Sequence, residues 1–268
     1  MRSRKSEKWQ EYVKPFCVDA FYSIIRRDNK IGIAVRDDLC EKLVEVCECK
    51  YDMIYQLNIR TSIYENSYAY FAVMNKGRYG IIKLEALDSW SGKYYAIKLV
   101  PCAFNAFHIS KFEINDERWI IMLENQKTAE DCIEWSYYNP DTGKISDIYT
   151  GMRLFGECFL ICHDVKCNRF VIDLRTDEVI YEAKKELLTF VTNFKEWHVW
   201  YSENLNNEKQ LVIYNDRKKN IYKTKAKYTI DVYRKNHCIE TIALTNDEAN
   251  YTITLDEEGL SSLITKEY

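Results

Sequence analysis

Short apolar runs separated by polar turns recur along the whole chain. They start roughly 49, 49, 39, 40 and 41 residues apart, about the length of a four-stranded propeller blade. The runs are "AFYSIIRR" from Ala20, "AYFAVMN" from Ala69, "RWIIMLE" from Arg118, "ECFLICH" from Glu157, "WHVWYS" from Trp197 and "CIETIAL" from Cys238. This pattern predicts six repeated β units.

Turn residues between the runs support the same interpretation. Each run is followed by a polar turn, a second strand and an acidic turn such as "NPDTGK" or "NDRKKN", where Asp with Gly or Asn closes hairpins. The segment "LVEVCECKYDMIYQL" from Leu43 aligns without gaps with "VIYEAKKELLTFVTN" from Val179 and marks the third and fourth strands of two units.

The aligned segments also fit a helical stripe, so a helix is an alternative for each. The stripe comprises Leu39, Leu43, Val44 and Cys47 in the first segment, and Ile180, Ala183, Leu187 and Val191 in the other. The matching part of the second unit carries Pro101, which a helix interior disfavours by about 3 kcal/mol. The later segment "NIYKTKAKYTIDVY" alternates as a strand does. The strand interpretation is therefore favoured.

The two ends of the chain predict how the repeat closes. The last unit, from His237, has three strands, and its third is "SLITKEY"; before the first unit stands "EYVKPFCVDAF", which resembles a fourth strand. Pairing of residues 8–19 with 260–266 would complete the last blade and leave no open edge. We expect an all-β, single-domain, six-bladed β-propeller over residues 1–268, closed by the N-terminal strand. Five blades and an open β-repeat array are the alternatives.

Two of the repeated turns resemble the bacterial WG-repeat family. The resemblance covers roughly residues 20–110 and rests on a Lys-Gly-x-[Trp/Tyr]-Gly-hydrophobic turn and a later Tyr-Asp pair. The matching residues are Lys76, Gly77, Tyr79, Gly80 and Ile81, more loosely Lys30, Gly32 and Ile33, and then Tyr51 and Asp52. The resemblance implies an interaction module of repeated β units and brings no catalytic residues.

Composition and charge narrow the class of protein. The chain has 268 residues, 47% of them hydrophobic, with only three prolines and eight glycines, and no composition shift marks a linker. The first residues are charged and no long apolar run follows, so we expect a soluble, cytoplasmic protein. A net charge of −3 offers no general attraction to nucleic acid or anionic membranes. Frequent Lys, Asn, Ile and Tyr suit an AT-rich bacterial or phage genome.

The cysteines raise the question of a metal site. Cys158, Cys162, His163 and Cys167 lie within ten residues, but on a strand His163 points away from Cys158 and Cys162. Cys47 and Cys49 share one strand face. Because the ten cysteines lie inside apolar runs, we expect buried, reduced thiols, no metal and no cofactor.

A basic stretch within the fifth unit has two interpretations. It contains Arg217, Lys218, Lys219, Lys223, Lys225 and Lys227, the last three alternating onto one predicted strand face. Such residues either bind an acidic partner or keep an outer strand soluble, and the second interpretation is favoured.

Aromatic residues beside turns are the clearest functional indication. The candidates are Trp90, Tyr94, Tyr95, Trp135, Tyr137 and Tyr138, and exposed aromatics of this kind anchor protein interfaces. No catalytic motif occurs. We therefore expect a non-enzymatic propeller that binds another protein through blade-connecting loops. The alternative is an enzyme or ligand-binding propeller that acts on a sugar or nucleotide at the central channel.

Overall fold

The computed structural model describes most of the chain and is almost entirely β. It describes residues 14–17, 20–37, 43–57, 59, 69–86, 93–112, 118–125, 133–156, 158–235, 238–248, 250–254 and 256–267. Its contacts divide the chain into two compact units, Met1–Asp147 and Ile148–Tyr268. Each unit is described by itself, and the single-domain expectation stays a prediction.

The first unit contains three antiparallel sheets of four strands. Sheet 1 comprises β1 (Lys14–Cys17), β2 (Ala20–Arg27), β3 (Lys30–Asp37) and β4 (Leu43–Tyr51), and sheet 2 comprises β5 (Met53–Gln56), β6 (Tyr70–Asn75), β7 (Arg78–Ala86) and β8 (Tyr94–Phe104). Sheet 3 comprises β9 (Ala106–Phe112), β10 (Arg118–Glu124), β11 (Trp135–Asn139) and β12 (Lys144–Ile145). Within each sheet, strands adjacent in sequence are hydrogen-bonded neighbours.

The second unit repeats the arrangement and ends in a helix. Sheet 4 comprises β13 (Gly151–Phe155), β14 (Phe159–His163), β15 (Arg169–Asp173) and β16 (Glu178–Ala183), and sheet 5 comprises β17 (Leu187–Phe194), β18 (Trp197–Glu203), β19 (Lys209–Asn215) and β20 (Asn220–Lys223). Sheet 6 has three strands, β21 (Thr229–Lys235), β22 (Cys238–Thr245) and β23 (Asn250–Thr254), and the helix α1 (Glu257–Glu267) follows.

The described residues therefore form six β-sheet repeats, as the spacing predicts. In the described residues, the segments that also fitted a helical stripe are strands β4, β16 and β17. Each sheet begins one strand earlier in the chain than the sequence pattern predicts. The predicted fourth strand of each unit, such as β5 or β17, is instead the first strand of the following sheet.

The predicted pairing of residues 8–19 with 260–266 is wrong where the structure describes it, and residues 8–13, 18 and 19 lie outside the described residues. β1 pairs antiparallel with β2, so that Lys14 lies opposite Tyr22 within sheet 1. The segment 260–266 is helical rather than extended, and Leu260 and Leu263 are buried in the apolar cluster between sheets 5 and 6. Asp256 caps this helix, because its Oδ1 accepts the Gly259 N–H at 2.7 Å.

The apolar runs are continuous because the middle sheets are buried on both faces. In β6, Phe71 and Val73 belong to the cluster shared with sheet 1, whereas Tyr70 and Ala72 belong to the cluster shared with sheet 3. Alternate side chains of a strand point to opposite faces. Each face of β6 therefore contributes to a different core, and no polar face is left to produce an alternating pattern.

The repeated glycine motif of the first unit fits two β-bulges. At Gly80, an added Cβ would lie 2.7 Å from the Val100 carbonyl oxygen, and at Gly32 it would lie 2.4 Å from the Cys47 carbonyl oxygen. The register of the neighbouring strand shifts beside each glycine. Only a residue without a side chain allows the bulged strand to approach this closely.

Candidate functional site

In the second unit, the turns between the second and third strands share one hydrogen-bonded design. The Asp164 Oδ1 accepts the Lys166 and Asn168 N–H groups at 2.8 and 2.9 Å. In the next sheet, the Asn204 Oδ1 accepts the Asn206 and Glu208 N–H groups at 2.9 and 3.1 Å. A side chain that accepts two backbone donors fixes the turn and needs no contact from elsewhere.

An apolar side chain follows the capping residue in both of these turns. Val165 is 73% exposed and Leu205 is 88% exposed, more than any other large hydrophobic residue that the structure describes. Neither side chain contributes to a core, and each is carried by a turn with a defined shape. We call Val165 and Leu205 the turn-tip pair.

A second kind of turn joins the third and fourth strands of sheets 3, 4 and 5, and in sheets 4 and 5 it lies at the end opposite the turn-tip pair. It begins with a buried Asn or Asp, and the fourth residue after it has a left-handed backbone, with φ of 70°, 57° and 54° at Gly143, Asp177 and Lys219. The buried capping residues are Asn139, Asp173 and Asn215. Their side-chain oxygens accept the N–H of a residue two or three positions later.

Arg175 joins two turns of this second kind across neighbouring sheets. Its guanidinium donates to Asp173 Oδ1 through Nε at 2.8 Å and to Asp216 Oδ1 at 2.8 Å. These two carboxylates raise the pKa of Arg175. The ion cluster fixes these ends of sheets 4 and 5 together.

The turn-tip pair therefore lies at one end of the second unit. Strands β15 and β19 both run from a turn of the first kind to a turn of the second kind, and Arg175 holds the latter turns together. Val165 and Leu205 are at the other end of these strands. Exposed lysines lie at the same end in the connection after β16, which is fixed there by the hydrogen bond from Arg169 to the Glu186 carbonyl oxygen.

Most of the aromatic candidates are not displayed as predicted. Tyr137 and Tyr138 lie within β11 and are only 3% and 2% exposed, so their expected display beside a turn is wrong. Trp135 is half-buried in the same strand, with its ring 5.6 Å from that of His108. These side chains are covered because both faces of β11 are packed, which the neighbouring turn motif does not reveal.

The other aromatic candidates lie near the start of β8. Tyr94 is half-buried and packs against the core between sheets 1 and 2. Tyr95 is exposed, and its hydroxyl donates to Glu85 Oε2 at 3.3 Å. Trp90 lies outside the described residues, so its role stays a prediction.

The basic stretch does not form one strand face. β20 ends at Lys223, and residues 225–227 lie outside the strand. Arg217, Lys218 and Lys219 occupy the turn before β20, whereas Lys225 and Lys227 lie beyond its other end. The predicted alternation of Lys223, Lys225 and Lys227 along one strand face is wrong, because the strand ends at Lys223.

Three members of the basic stretch have acidic partners. Lys219 contacts Asp216 at 2.7 Å, Lys223 contacts Glu186 at 3.3 Å, and Lys227 contacts Glu208. Lys223 also lies over the Tyr181 ring. These three lysines thus make contacts within the second unit.

The cysteine cluster divides between core and surface. Cys158 and Cys162 are buried, as predicted, and burial raises the pKa of Cys162. Cys167 is exposed, which corrects the expectation that all the thiols are buried. It occupies the left-handed position of the Asp164 turn, with φ of 63°. No group of three or more metal-ligating side chains converges among the described residues.

The turn-tip pair was not predicted from the residue pattern. The available signal was the similarity of "DVKCN" from Asp164 and "NLNNE" from Asn204, both with a capping residue first and an apolar residue second. Exposure of the second residue follows from the turn conformation and cannot be inferred from residue type alone. Across the described residues, no helix has the length and apolar character needed to cross a membrane.

Known proteins resemble this chain only weakly, both in sequence identity and in structural superposition. No protein-family profile and no curated protein matches the sequence. Among solved structures, the oligogalacturonate lyase in complex with manganese has 9% identity and a TM-score of 0.32, over 90% of this chain and 72% of that chain.

Two further solved structures are similar to the same extent. The WD40 domain of Toxoplasma gondii coronin has 6% identity and a TM-score of 0.28, over 89% of this chain and 66% of that domain. BamB from Moraxella catarrhalis has 9% identity and a TM-score of 0.27, over 94% of this chain and 71% of that chain. TM-scores this low support no conclusion about what this chain does.

Proposed function

We propose that the chain is a β-propeller interaction module that binds another protein through the turns at one end of its second unit. The observation that carries this proposal is the turn-tip pair, since Val165 and Leu205 are exposed on equivalent, internally hydrogen-bonded turns of neighbouring sheets. Burying these apolar side chains against a partner would stabilise the complex, because apolar surface is then removed from water.

The surroundings of the turn-tip pair indicate the character of the partner. Lys166 in the Asp164 turn and Lys184 and Lys185 after β16 are exposed, and none of the three makes an ion pair within the described residues. Opposite charge at the rim of an interface orients the partner and speeds association. The partner is therefore a protein with an apolar contact surface bordered by acidic residues.

The six-sheet repeat and the glycine motif support the wider assignment. Six sheets of similar length, packed face to face within each unit, suit the blades of a propeller. The turn at Lys76 and its looser copy at Lys30 resemble WG repeats, which implies an interaction role. The proposed partner is still a protein, but it binds at the turn-tip pair instead of at the aromatic turns.

The test is the pair of substitutions Val165→Asp and Leu205→Asp. Each places a charge where the partner's apolar surface should dock, so we expect the affinity for the partner to fall by at least about tenfold. Tandem pull-downs with quantitative mass spectrometry identify a protein that wild type retains, and titration of that purified protein measures its affinity.

The matched control is Val179→Asp, because Val179 is 54% exposed in the same unit but lies on β16, away from the turn tips. This control should bind as wild type does, and thermal melting should be unchanged in all three variants. Equal partner affinity for wild type and both turn-tip variants would refute the proposed surface.

A further inference from the structure

A cleft of about 520 Å³ lies between sheets 4 and 5 in the second unit. Strands β13 and β14 form one wall, and the first residues of β17 form the other. Its volume is in the range of small-molecule sites. The cleft is separate from the turn-tip pair, because neither Val165 nor Leu205 lines it.

One end of the cleft collects basic side chains across three strands. Gly151 pairs with His163, and His163 pairs with Arg169, so the three residues form a row on one face of sheet 4. A Cβ at Gly151 would lie only 2.0 Å from the His163 ring. The missing side chain at Gly151 therefore leaves the space that the imidazole occupies beside the cleft.

A second arginine lies one row further along the same face. Arg153 is exposed and pairs in register with Ile161. It makes no hydrogen bond or ion pair with any other residue in the described part of the chain. An arginine that lines a cleft without a partner has its whole set of five N–H donors available.

Arg169 is held in place and keeps donors available. Its Nη1 donates to the Glu186 carbonyl oxygen at 2.9 Å, and the Glu186 carboxylate is paired with Lys223. No Asp or Glu lines the cleft among the described residues. Although the chain has a net charge of −3, this cleft presents positive charge.

The apolar part of the cleft is aromatic. The Phe155 and Phe190 rings lie 5.0 Å apart at 55° and come from the two facing sheets. Leu188 and Ile161 extend this apolar surface. A planar or apolar group of a ligand would bury area here, while a charged group reaches the arginines.

We propose that this cleft binds a small organic anion, with a carboxylate or phosphate at Arg153 and Arg169 and a planar apolar body against Phe155 and Phe190. Guanidinium groups bind both kinds of oxyanion by paired hydrogen bonds. His163 adds a neutral donor beside them, since burial and the neighbouring Arg169 lower its pKa. The inference does not depend on the protein-binding proposal.

Calorimetric titration with four probes tests the inference and distinguishes phosphate from carboxylate. The probes are adenosine 5′-monophosphate, adenosine, 2-naphthoate and inorganic phosphate. We expect one of the two amphipathic anions to bind with one-to-one stoichiometry, and adenosine and inorganic phosphate to bind at least about tenfold more weakly, because each lacks half of the recognised chemistry.

Two variants then assign the binding to the cleft. Arg153→Ala should weaken the bound anion at least about tenfold, and Leu188→Trp should block it by filling the apolar end. The matched control Arg26→Ala removes an exposed arginine from the other unit and should bind as wild type does. Leu205→Asp should also bind the anion normally, so failure of this inference and failure of the protein-binding proposal are distinguishable.

Either of two results would overturn the inference. One is that neither amphipathic anion binds wild type with a Kd below about 1 mM, the weak end of specific binding. The other is that Arg153→Ala binds the anion as tightly as wild type while the Arg26→Ala control behaves normally.

Discussion

The Asp173 carboxylate is the most deeply buried charge in the described ion pairs, with 1% of its side chain exposed. It accepts the Arg175 N–H and also pairs with the Arg175 guanidinium. The equivalent positions in sheets 3 and 5 are Asn139 and Asn215, which make the backbone contact without a charge. The turn therefore needs the side-chain oxygen, and the negative charge is specific to sheet 4.

Replacing Arg175 with Leu should lower the free energy of unfolding by about 2–4 kcal/mol, because the substitution removes the closer counter-ion of the buried Asp173 and leaves only Lys219, at 3.9 Å. The double variant Asp173→Asn/Arg175→Leu should recover part of that loss, since Asn keeps the turn as it does at Asn139. Urea unfolding measures both.

Arg217→Leu is the matched control for this experiment, because Arg217 occupies the equivalent place in the next turn but is exposed. Its effect should stay within about 0.5 kcal/mol. A double variant no more stable than Arg175→Leu would show that the cluster acts by packing instead of charge.

His198 is a second residue whose effect depends on ionisation. It lies between sheets 4 and 5 with its ring 4.5 Å from Phe159, and its Nδ1 has no hydrogen-bond partner among the described residues. Burial is the main cause that lowers its pKa from 6.5 to about 4. The folded protein therefore holds this imidazole neutral at pH 7.

The stability contributed by neutral His198 should be present above pH 6.5 and lost as the pH falls toward 4. Because the unfolded state takes up the proton first, this residue should lower the free energy of unfolding by about 2–3 kcal/mol at pH 4.5. Replacing His198 with Phe removes the titration and keeps a ring against Phe159. Urea unfolding of both proteins at pH 7 and 4.5 measures the difference.

The carboxylates titrate in both proteins, so only the additional acid sensitivity of wild type reports on His198. Equal losses of stability in wild type and His198→Phe between these pH values would contradict the assignment.

At the scale of elements, the β-bulge opposite Gly80 explains why the repeated motif has a glycine at this position. Gly80→Ala should lower the free energy of unfolding by about 1–3 kcal/mol, the usual effect of overpacking. The reason is that the new Cβ would lie 2.7 Å from the Val100 carbonyl oxygen and 2.9 Å from the Cys102 nitrogen. Thermal and urea unfolding measure the change.

Gly77→Asn is the control for loss of a glycine in the same hairpin. Gly77 has φ of 74°, and no atom lies within 4 Å of the position that a Cβ would occupy there. Asn tolerates this left-handed backbone. The control should change stability by less than about 1 kcal/mol. If the two variants were equally stable, close approach of the bulge would not be the reason for Gly80.

At the scale of the whole molecule, each unit contains a buried thiol that reports on its opening. Cys47 lies in the core of the first unit and Cys162 in the second, and burial raises the pKa of both thiols. Cys167 is exposed on its turn. Since the thiolate is the reactive form, access and pKa both protect the buried thiols.

We therefore expect iodoacetamide to label Cys167 at least about a hundredfold faster than Cys47 or Cys162 in the native protein, by peptide mass spectrometry. In denaturant, all three should react at similar rates. Cys167→Ser is the control, and the rates at Cys47 and Cys162 should not change in it. Rapid native labelling of Cys162 would contradict the packing of the second unit.

The number of repeats and their strand character were determined by the sequence itself. Apolar runs with a regular spacing and Asn or Asp turns are local signals, and they predicted strands such as β6 and β18 correctly. Which strand begins each sheet, however, was not determined by local sequence. β5 follows β4 directly in sequence, yet hydrogen bonds join it to β6, and strand pairing depends on partners that a repeat period does not specify.

The candidate sites depended still more on tertiary structure. Tyr138 and Leu205 both lie beside polar turns, but packing buries the first and a self-contained turn exposes the second. The row of Gly151, His163 and Arg169 forms because antiparallel register brings three strands side by side. Sequence determines which residues prefer strands and turns. Whether a side chain is buried, and which side chains meet at a site, depends on contacts between segments that are distant in sequence. Those contacts exist only in the folded chain.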